Sequence, residues 1–182
     1  MENNLNLEKL KFPIGMFQKP QEISKNDIKT WIEIIEIFPI KVKEVTQYLS
    51  DAELNWIYRP YGWSIKQVVH HCSDSHMNCF IRFKLAITED LPTIKPYDEA
   101  KWAELVDGNS SNISPSIQII EAVHNRWVLL LKSFGEFELK RQFIHPANKK
   151  SSCLDEIIGL YAWHCNHHLA HIEQAIKHKG KF

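Results

Sequence analysis

The sequence lacks a net charge, because its 22 lysine and arginine residues balance 22 aspartate and glutamate residues. Without a basic stripe, it lacks the electrostatic footprint of nucleic-acid-binding proteins. It also has no apolar run near the length of about 20 residues that a membrane span requires. Its first residues, M-E-N-N-L-N, contain no apolar signal-peptide core. We therefore expect neither a nucleic-acid partner nor membrane association.

Several chemical motifs are missing as well. There is no G-x-S-x-G and no H-E-x-x-H, so the machinery of serine hydrolases and zincins is absent. Cysteine is scarce and forms no C-x-x-C pair, which favours reduced thiols in a cytoplasmic protein. The four cysteines are Cys72, Cys79, Cys153 and Cys165.

What the sequence does contain is a helical pattern. Its 182 residues, 44% of them hydrophobic, suffice for one domain with a real core. Apolar residues recur at three- and four-residue steps over four segments, and no strand alternation extends far enough to build a sheet. These segments are 24–49, with a kink expected at Pro39, 64–88, 114–134 and 154–177, and a short helix is expected within 97–105. We predict an all-α four-helix bundle over 24–182, preceded by an irregular, extended arm over 1–23.

One stretch near the C-terminus is rich in histidine. Residues 160–172 read L-Y-A-W-H-C-N-H-H-L-A-H-I. We expect Ser152 to cap this helix and Gly180 to lie just past its end. On a helix, histidines at positions i and i+4 share one face and can hold one metal ion. Two such pairs exist, His164 with His168 and His167 with His171.

A helical wheel distinguishes the two pairs. It places His168 inside the apolar arc with His164 beside it, so this pair faces the protein interior. His167 and His171 lean towards solvent on the same wheel. We therefore expect His164 and His168 to bind metal. The alternative is that all four are unliganded surface and core histidines, which is the usual role of a lone histidine.

The helix over 64–88 contributes further candidates. Ser64 and Gln67 form a capping box at its start. Beside its apolar stripe runs a polar one that is either a solvated face or the wall of a metal-containing pocket. His76 falls within the apolar stripe, so the wheel does not select His71 over His76 as a ligand. The polar stripe consists of His71, Asp74, Ser75, Asn78 and Arg82.

Several segments together resemble the YfiT-like branch of the DinB superfamily. They are P-I-G (13–15), Y-G-W-S (61–64), V-V-H-H-C-S-D-S-H-M-N (68–78), I-R-F-K-L (81–85), I-K-P-Y-D-E (94–99) and the histidine stretch 160–172. The resemblance implies a four-helix bundle that binds one divalent metal ion per subunit, zinc first and nickel second. It implies three histidine ligands, which fall on His71, His164 and His168. It further implies a homodimer.

Three imidazole ligands leave a coordination position open, as in catalytic zinc sites, and an ion there lowers the pKa of a coordinated water or thiol. The resemblance then implies a metal-dependent hydrolase of a small-molecule substrate. The first alternative is an S-transferase that joins a low-molecular-weight thiol of the bacillithiol type to electrophiles. The second is a non-catalytic metal-binding stress protein. Asp74 is the nearest candidate for a base, and Ser75, Asn78 and Arg82 are expected to line the pocket.

Overall fold

The computed structural model describes residues 2–147 and 150–182. Four long helices in this part of the chain form a bundle, together with three short helices, one 3-10 turn and a two-stranded antiparallel sheet. In chain order these elements are α1 (Glu2–Lys11), α2 (Lys25–Thr46), a 3-10 turn (Glu53–Asn55), α3 (Ile65–Thr88), α4 (Glu99–Ala103), α5 (Ser114–Lys132), α6 (Glu136–Leu139), β1 (Gln142–His145), β2 (Lys150–Cys153) and α7 (Leu154–His178).

The bundle is formed by α2, α3, α5 and α7, which confirms the predicted fold class. Helix α2 packs on α7 and α5, and α3 packs on the same two helices. The order around the bundle is therefore α2, α5, α3 and α7, so that α2 and α3 lie diagonally opposite. The apolar stripes predicted from the sequence meet in one core, whose most deeply buried side chains include Ile35, Phe38, Phe83, Trp127 and Ile158.

The helix ends follow their local sequence signals. Two capping boxes form, one between Ser24 and Asp27 and the other, as predicted, between Ser64 and Gln67. Each satisfies backbone N–H groups that would otherwise have no partner in the first turn. Helix α2 continues through Pro39 rather than ending there. At the end of α7, Gly180 adopts a φ of +67°, and its N–H donates to the carbonyl of Ala175 at 3.0 Å.

Two local predictions are wrong. The arm over 1–23 is not irregular throughout, because Glu2–Lys11 forms α1. This helix has no strong apolar stripe by which the sequence could have predicted it. The expectation that no sheet forms fails in the connection before α7, because β1 and β2 pair there. Ser152 lies in β2 opposite Phe143, so Cys153 occupies the N-cap position in its place. Each strand has only four residues, Q-F-I-H and K-S-S-C, and neither shows a clear apolar–polar alternation.

Gly159 marks a close approach between α7 and α2. A Cβ at this position would lie 2.8 Å from the ring of Trp31. We expect Gly159→Ala to destabilise the protein by about 1–2 kcal/mol, because displacing the indole ring outweighs the better helix propensity of alanine. In a Trp31→Leu background the ring is gone, and the same change should stabilise the protein. Urea denaturation of the four variants measures both effects, and equal effects in the two backgrounds would contradict the steric explanation.

Candidate metal centre

Three histidines from two adjacent helices meet at one point of the bundle. His71 lies on α3, and His164 and His168 lie one turn apart on α7. One ring nitrogen from each lies within 4.8 Å of the other two. The ring of His71 is 4.8 Å from that of His168 and 5.5 Å from that of His164, measured between centroids. The structure therefore brings together the three residues that the sequence analysis predicted as ligands.

Burial keeps these imidazoles neutral. His168 is buried, whereas His71 and His164 are half-buried. Burial lowers the pKa of His71 to about 4, and the neighbouring His167 acts in the same direction. Burial also lowers the pKa of His164 and of His168 well below the ordinary value. Neutral imidazole is the form that binds a metal ion, so the three rings are ready as ligands at neutral pH.

The donor set fits a divalent ion that prefers nitrogen ligands. At zinc–nitrogen distances of roughly 2.0–2.1 Å, the ligands of a tetrahedral ion lie about 3.3 Å apart. The three nitrogens lie within 4.8 Å of one another, so small side-chain rotations suffice to reach that separation. Among the described residues, no carboxylate and no thiol joins this group. Three protein ligands leave room for water or a substrate atom, which is the arrangement of catalytic rather than structural zinc sites.

The predicted polar stripe of α3 does not lie in bulk solvent. Ser75 is buried, and its hydroxyl lies 3.2 Å from that of Tyr161 on α7. Asn78 donates to the backbone carbonyl of Asp74 at 2.9 Å. Nε of Arg82 is buried and has no hydrogen-bond partner in the described part of the chain. The ring of Tyr161 lies 5.2 Å from that of His164, so the stripe reaches the neighbourhood of the histidines through this tyrosine.

Asp74 is half-buried and lies one helical turn after His71. Burial raises the pKa of its carboxyl, and the negative charge of Asp107 raises it further, while His70 opposes both effects. Its carboxyl does not belong to the three-histidine group. Asp74 is thus one helical turn from His71 in sequence, but its carboxyl is not a ligand of the three-histidine group.

The prediction that His167 and His171 lean towards solvent is wrong. They are only 7% and 2% exposed, because the N-terminal arm covers them. Phe12 stacks on His167 with a centroid distance of 5.8 Å, and Nε2 of His171 lies 3.0 Å from the carbonyl oxygen of Lys11. A wheel drawn for one helix ignores chain that packs on it from elsewhere. The arm therefore buries residues on the side of α7 that the wheel marks as polar.

A second histidine group lies in the core, and sequence reasoning missed part of it. Ligand atoms of His76, His124 and Cys165 lie within 4.8 Å of one another, and all three residues are buried. His124 on α5 was not a candidate. Its spacing from Ile120 and Trp127 places it on the buried face of α5, and that spacing was the available signal. The burial of His76, which the wheel allowed, is confirmed at 0% exposure.

Buried His124 should make the metal-free protein sensitive to acid. Burial lowers its pKa from the ordinary value of 6.5 to about 4. At a pH between these two values, His124 is protonated in the unfolded chain and neutral in the folded chain. Stability is therefore complete above about pH 6.5 and is lost as the pH falls through 4, by about 3 kcal/mol for this residue alone. Urea denaturation at pH 7, 5.5 and 4 measures the loss, which His124→Gln should reduce. A flat profile in the wild type would contradict this expectation.

A cleft of about 830 Å³ lies elsewhere, between α2, the end of α5 and α6, and contains none of the predicted site residues. No helix in the described part of the chain is long and apolar enough to cross a membrane. The four cysteines are free thiols, as expected. The histidine groups therefore remain the part of the described structure with the clearest capacity for chemistry.

Comparison with known proteins finds relatives that match nearly the whole chain. YfiT of Bacillus subtilis (strain 168) is 42% identical over 94% of this chain and 96% of its own length. A relative from Oceanobacillus iheyensis is 47% identical over 93% of this chain and 97% of its own length. Both are named as candidate metal-dependent hydrolases.

Two solved structures are similar in fold. The structure of YfiT from Bacillus subtilis, described as having an unusual four-helix bundle topology, matches with a TM-score of 0.91 at 41% identity, covering 94% of this chain and 98% of that one. A mycothiol-dependent maleylpyruvate isomerase matches with a TM-score of 0.56 over 77% of this chain and 60% of that one. At 14% identity, this second match shows a shared fold alone.

The family assignment rests on most of the chain. The model of the DinB superfamily matches residues 41–172, which include all three histidines of the three-histidine group. The YfiT-like relatives extend the similarity to nearly the whole sequence. The resemblance noted in the sequence is thereby confirmed, and the chain belongs to the DinB superfamily.

Proposed function

We propose that the chain is a metal-dependent hydrolase in which His71, His164 and His168 hold one divalent cation, with zinc preferred over nickel. One observation carries the proposal. Three neutral imidazole nitrogens converge from two helices, and the described part of the chain adds no fourth protein ligand to the group. The names of the YfiT-like relatives support the same reaction class.

The residues around the cation would have different roles in such an enzyme. When bound, the cation supplies Lewis-acid chemistry and lowers the pKa of a coordinated water or thiol. His71 and His164 are only half-buried, so part of the site borders solvent. Asp74, whose pKa is raised, can take up and return a proton. The unpartnered Nε of Arg82 can bind a polar or negatively charged group of the substrate.

A second candidate is a low-molecular-weight thiol S-transferase. The observation that favours it is the absence of a carboxylate from the three-histidine group of the described structure. A hydrolase gains from a base that takes a proton from water, whereas a thiol has a pKa near 8.5 and gives up its proton more readily. Both candidates use the same three histidines and differ in the nucleophile.

The dependence of turnover on added thiol separates the two candidates. The zinc-loaded protein is screened against simple esters, amides and phosphate esters, and against electrophiles, each with and without a low-molecular-weight thiol. For the hydrolase we expect turnover that added thiol leaves unchanged or inhibits. A rate that requires thiol and saturates with it would instead establish the transferase and refute the hydrolase.

Two variants control this screen. His164→Ala should abolish turnover, because it removes one of three ligands. His178→Ala should leave turnover unchanged, because His178 is exposed at the far end of the same helix. If His164→Ala retains full turnover, the activity does not arise at the three-histidine group.

A further inference from the structure

A chain of hydrogen-bonded imidazoles leads from His164 into the core. Nδ1 of His164 lies 3.0 Å from Nε2 of His76. Nδ1 of His76 lies 2.7 Å from Nε2 of His124. The chain ends where Nδ1 of His124 lies 2.6 Å from the carbonyl oxygen of Ile35. It therefore links α7, α3, α5 and α2 in turn, which are all four helices of the bundle.

The carbonyl at its end fixes the direction of every hydrogen bond in this chain. A carbonyl oxygen only accepts, so Nδ1 of His124 carries the proton, and its neutral ring presents Nε2 as an acceptor. His76 must then donate from Nδ1 and accept at Nε2. His164 in turn must donate from Nδ1. Nε2 of His164 keeps its lone pair, which is what a metal ion requires.

A shorter chain acts in the same way on His168. Nε2 of His171 lies 3.0 Å from the carbonyl oxygen of Lys11 in the N-terminal arm, so this nitrogen carries the proton of His171. Nδ1 of His171 then accepts from Nδ1 of His168 at 3.4 Å. This last contact is long for a hydrogen bond and therefore weak. It nevertheless leaves the lone pair of His168 on Nε2, as in His164.

We propose that His76, His124 and His171 are positioning residues that hold His164 and His168 in the tautomer protonated on Nδ1, with Nε2 of each free for the metal ion. The inference rests on the proposed metal site and adds three residues that do not belong to it. In general, a metal-binding histidine donates its other ring N–H to an acceptor that fixes the ring orientation and raises its basicity. Here the acceptors are further histidines, and backbone carbonyls end both chains.

The alternative for the inner rings is a second metal site formed by His76, His124 and Cys165. The hydrogen-bonded nitrogens of the two histidines are 2.7 Å apart, which is shorter than the separation of about 3.3 Å between nitrogen ligands of one tetrahedral ion. An ion on Nδ1 of His76 would also place that residue's proton on Nε2. The proton of His164 would then lie on its Nε2, and the outer site would lose a ligand.

Proton positions can be measured in the metal-free wild type. Nitrogen-15 NMR of histidine-labelled protein distinguishes a ring protonated on Nδ1 from one protonated on Nε2. We expect Nδ1 protonation for His164, His168, His76 and His124, and Nε2 protonation for His171. A proton on Nε2 of His164 would overturn the inference. Because no metal is added, this result does not depend on the proposed function.

A pair of variants at His124 tests the consequence for metal binding. His124→Leu removes the acceptor for His76, whose proton can then move to Nε2 and force the proton of His164 onto Nε2 as well. We expect its zinc affinity to fall about 10- to 100-fold, measured by competition with a chromophoric chelator. His124→Gln retains an acceptor in its side-chain carbonyl, and its affinity should stay within a few fold of the wild type. His171→Leu should have a smaller effect, because its contact with His168 is weaker.

His70→Leu controls for the loss of any buried histidine. His70 is buried on α3 and bonds to Ser116 and to the carbonyl of Ser110, outside both chains. We expect lower thermal stability but unchanged zinc affinity. A folded His124→Leu with wild-type zinc affinity and an unchanged His164 tautomer would overturn the inference and leave the metal site in place, as would two zinc ions per wild-type chain. A wild type that binds no zinc would refute the proposed function instead, and the NMR result would then decide the tautomers alone.

Discussion

Replacing His71, His164 or His168 with alanine is expected to remove the metal ion. Each change leaves two imidazoles in place of three, and the loss of a direct ligand exceeds the roughly 10- to 100-fold effect of removing a supporting hydrogen bond. Zinc content after purification should fall from about one ion per chain to near zero. Elemental analysis measures the content, and competition with a chelator measures the affinity.

Two other histidines of α7 serve as controls for this result. His178→Ala should keep full zinc content, because His178 is exposed and lies outside the three-histidine group. His167→Ala removes a buried ring that stacks on Trp163 at a centroid distance of 4.4 Å, and it should lower stability more than zinc content. If His167→Ala loses the metal and His164→Ala retains it, the ligand assignment is wrong.

Removing the metal from the wild-type protein is expected to lower its melting temperature by roughly 10 °C. A ligand that binds only the folded state, and whose free concentration is about 1,000 times its dissociation constant, stabilises that state by about 4 kcal/mol. For a chain of this size, each kcal/mol corresponds to roughly 2–4 °C. Thermal melts followed by circular dichroism, with and without a strong chelator, measure the difference.

The same chelation experiment on His168→Ala tests whether the ion lies where the geometry places it. His168 is the buried member of the three, so its removal should eliminate most of the chelator-dependent shift. An undiminished shift in this variant would place the stabilising ion elsewhere, and the inner group of His76, His124 and Cys165 would become the first candidate.

Most of the fold could be predicted from the sequence because its signals are local. Side chains close to the backbone groups that they satisfy determine both capping boxes, at Ser24 and Ser64. The long helices show apolar residues at regular steps, and these stripes became the core. Helix boundaries for α3 and α7 were accordingly predicted to within one or two residues.

What could not be predicted depends on contacts between distant segments. The pairing of β1 with β2 involves four residues on each side, which is at the lower limit of the length at which alternation is informative. The arm is a second example, because nothing near His171 in the sequence indicates that the carbonyl of Lys11 will bond to it. The prediction of a solvated pair at His167 and His171 failed for this reason.

In the candidate site, too, local sequence patterns predicted some features, and contacts between distant segments determined the others. The wheel selected His164 and His168 as neighbours on one side of α7, and the structure brings them to His71. Its reason for preferring this pair failed, because His167 and His171 are buried as well. It could not rank His71 against His76, and the structure explains why. Both residues are neighbours of His164. The ring of His71 lies 5.5 Å from the ring of His164, and Nε2 of His76 lies 3.0 Å from Nδ1 of His164. Helical periodicity reports which residues face inwards, but not which of two inward histidines meets the ion.

The order of the helices around the bundle has a consequence for how the protein folds. Because α2 and α3 lie diagonally opposite, α2 cannot pair with the next long helix into a local hairpin, and its main partners are the later helices α5 and α7. Helical bundles usually fold quickly because their contacts are local, and this arrangement removes much of that advantage. During synthesis, the apolar face of α2 stays uncovered until α5 leaves the ribosome, and it is fully covered only when α7 follows. We therefore expect slower folding than in an up-and-down bundle of the same length, with a need for chaperone protection in that interval.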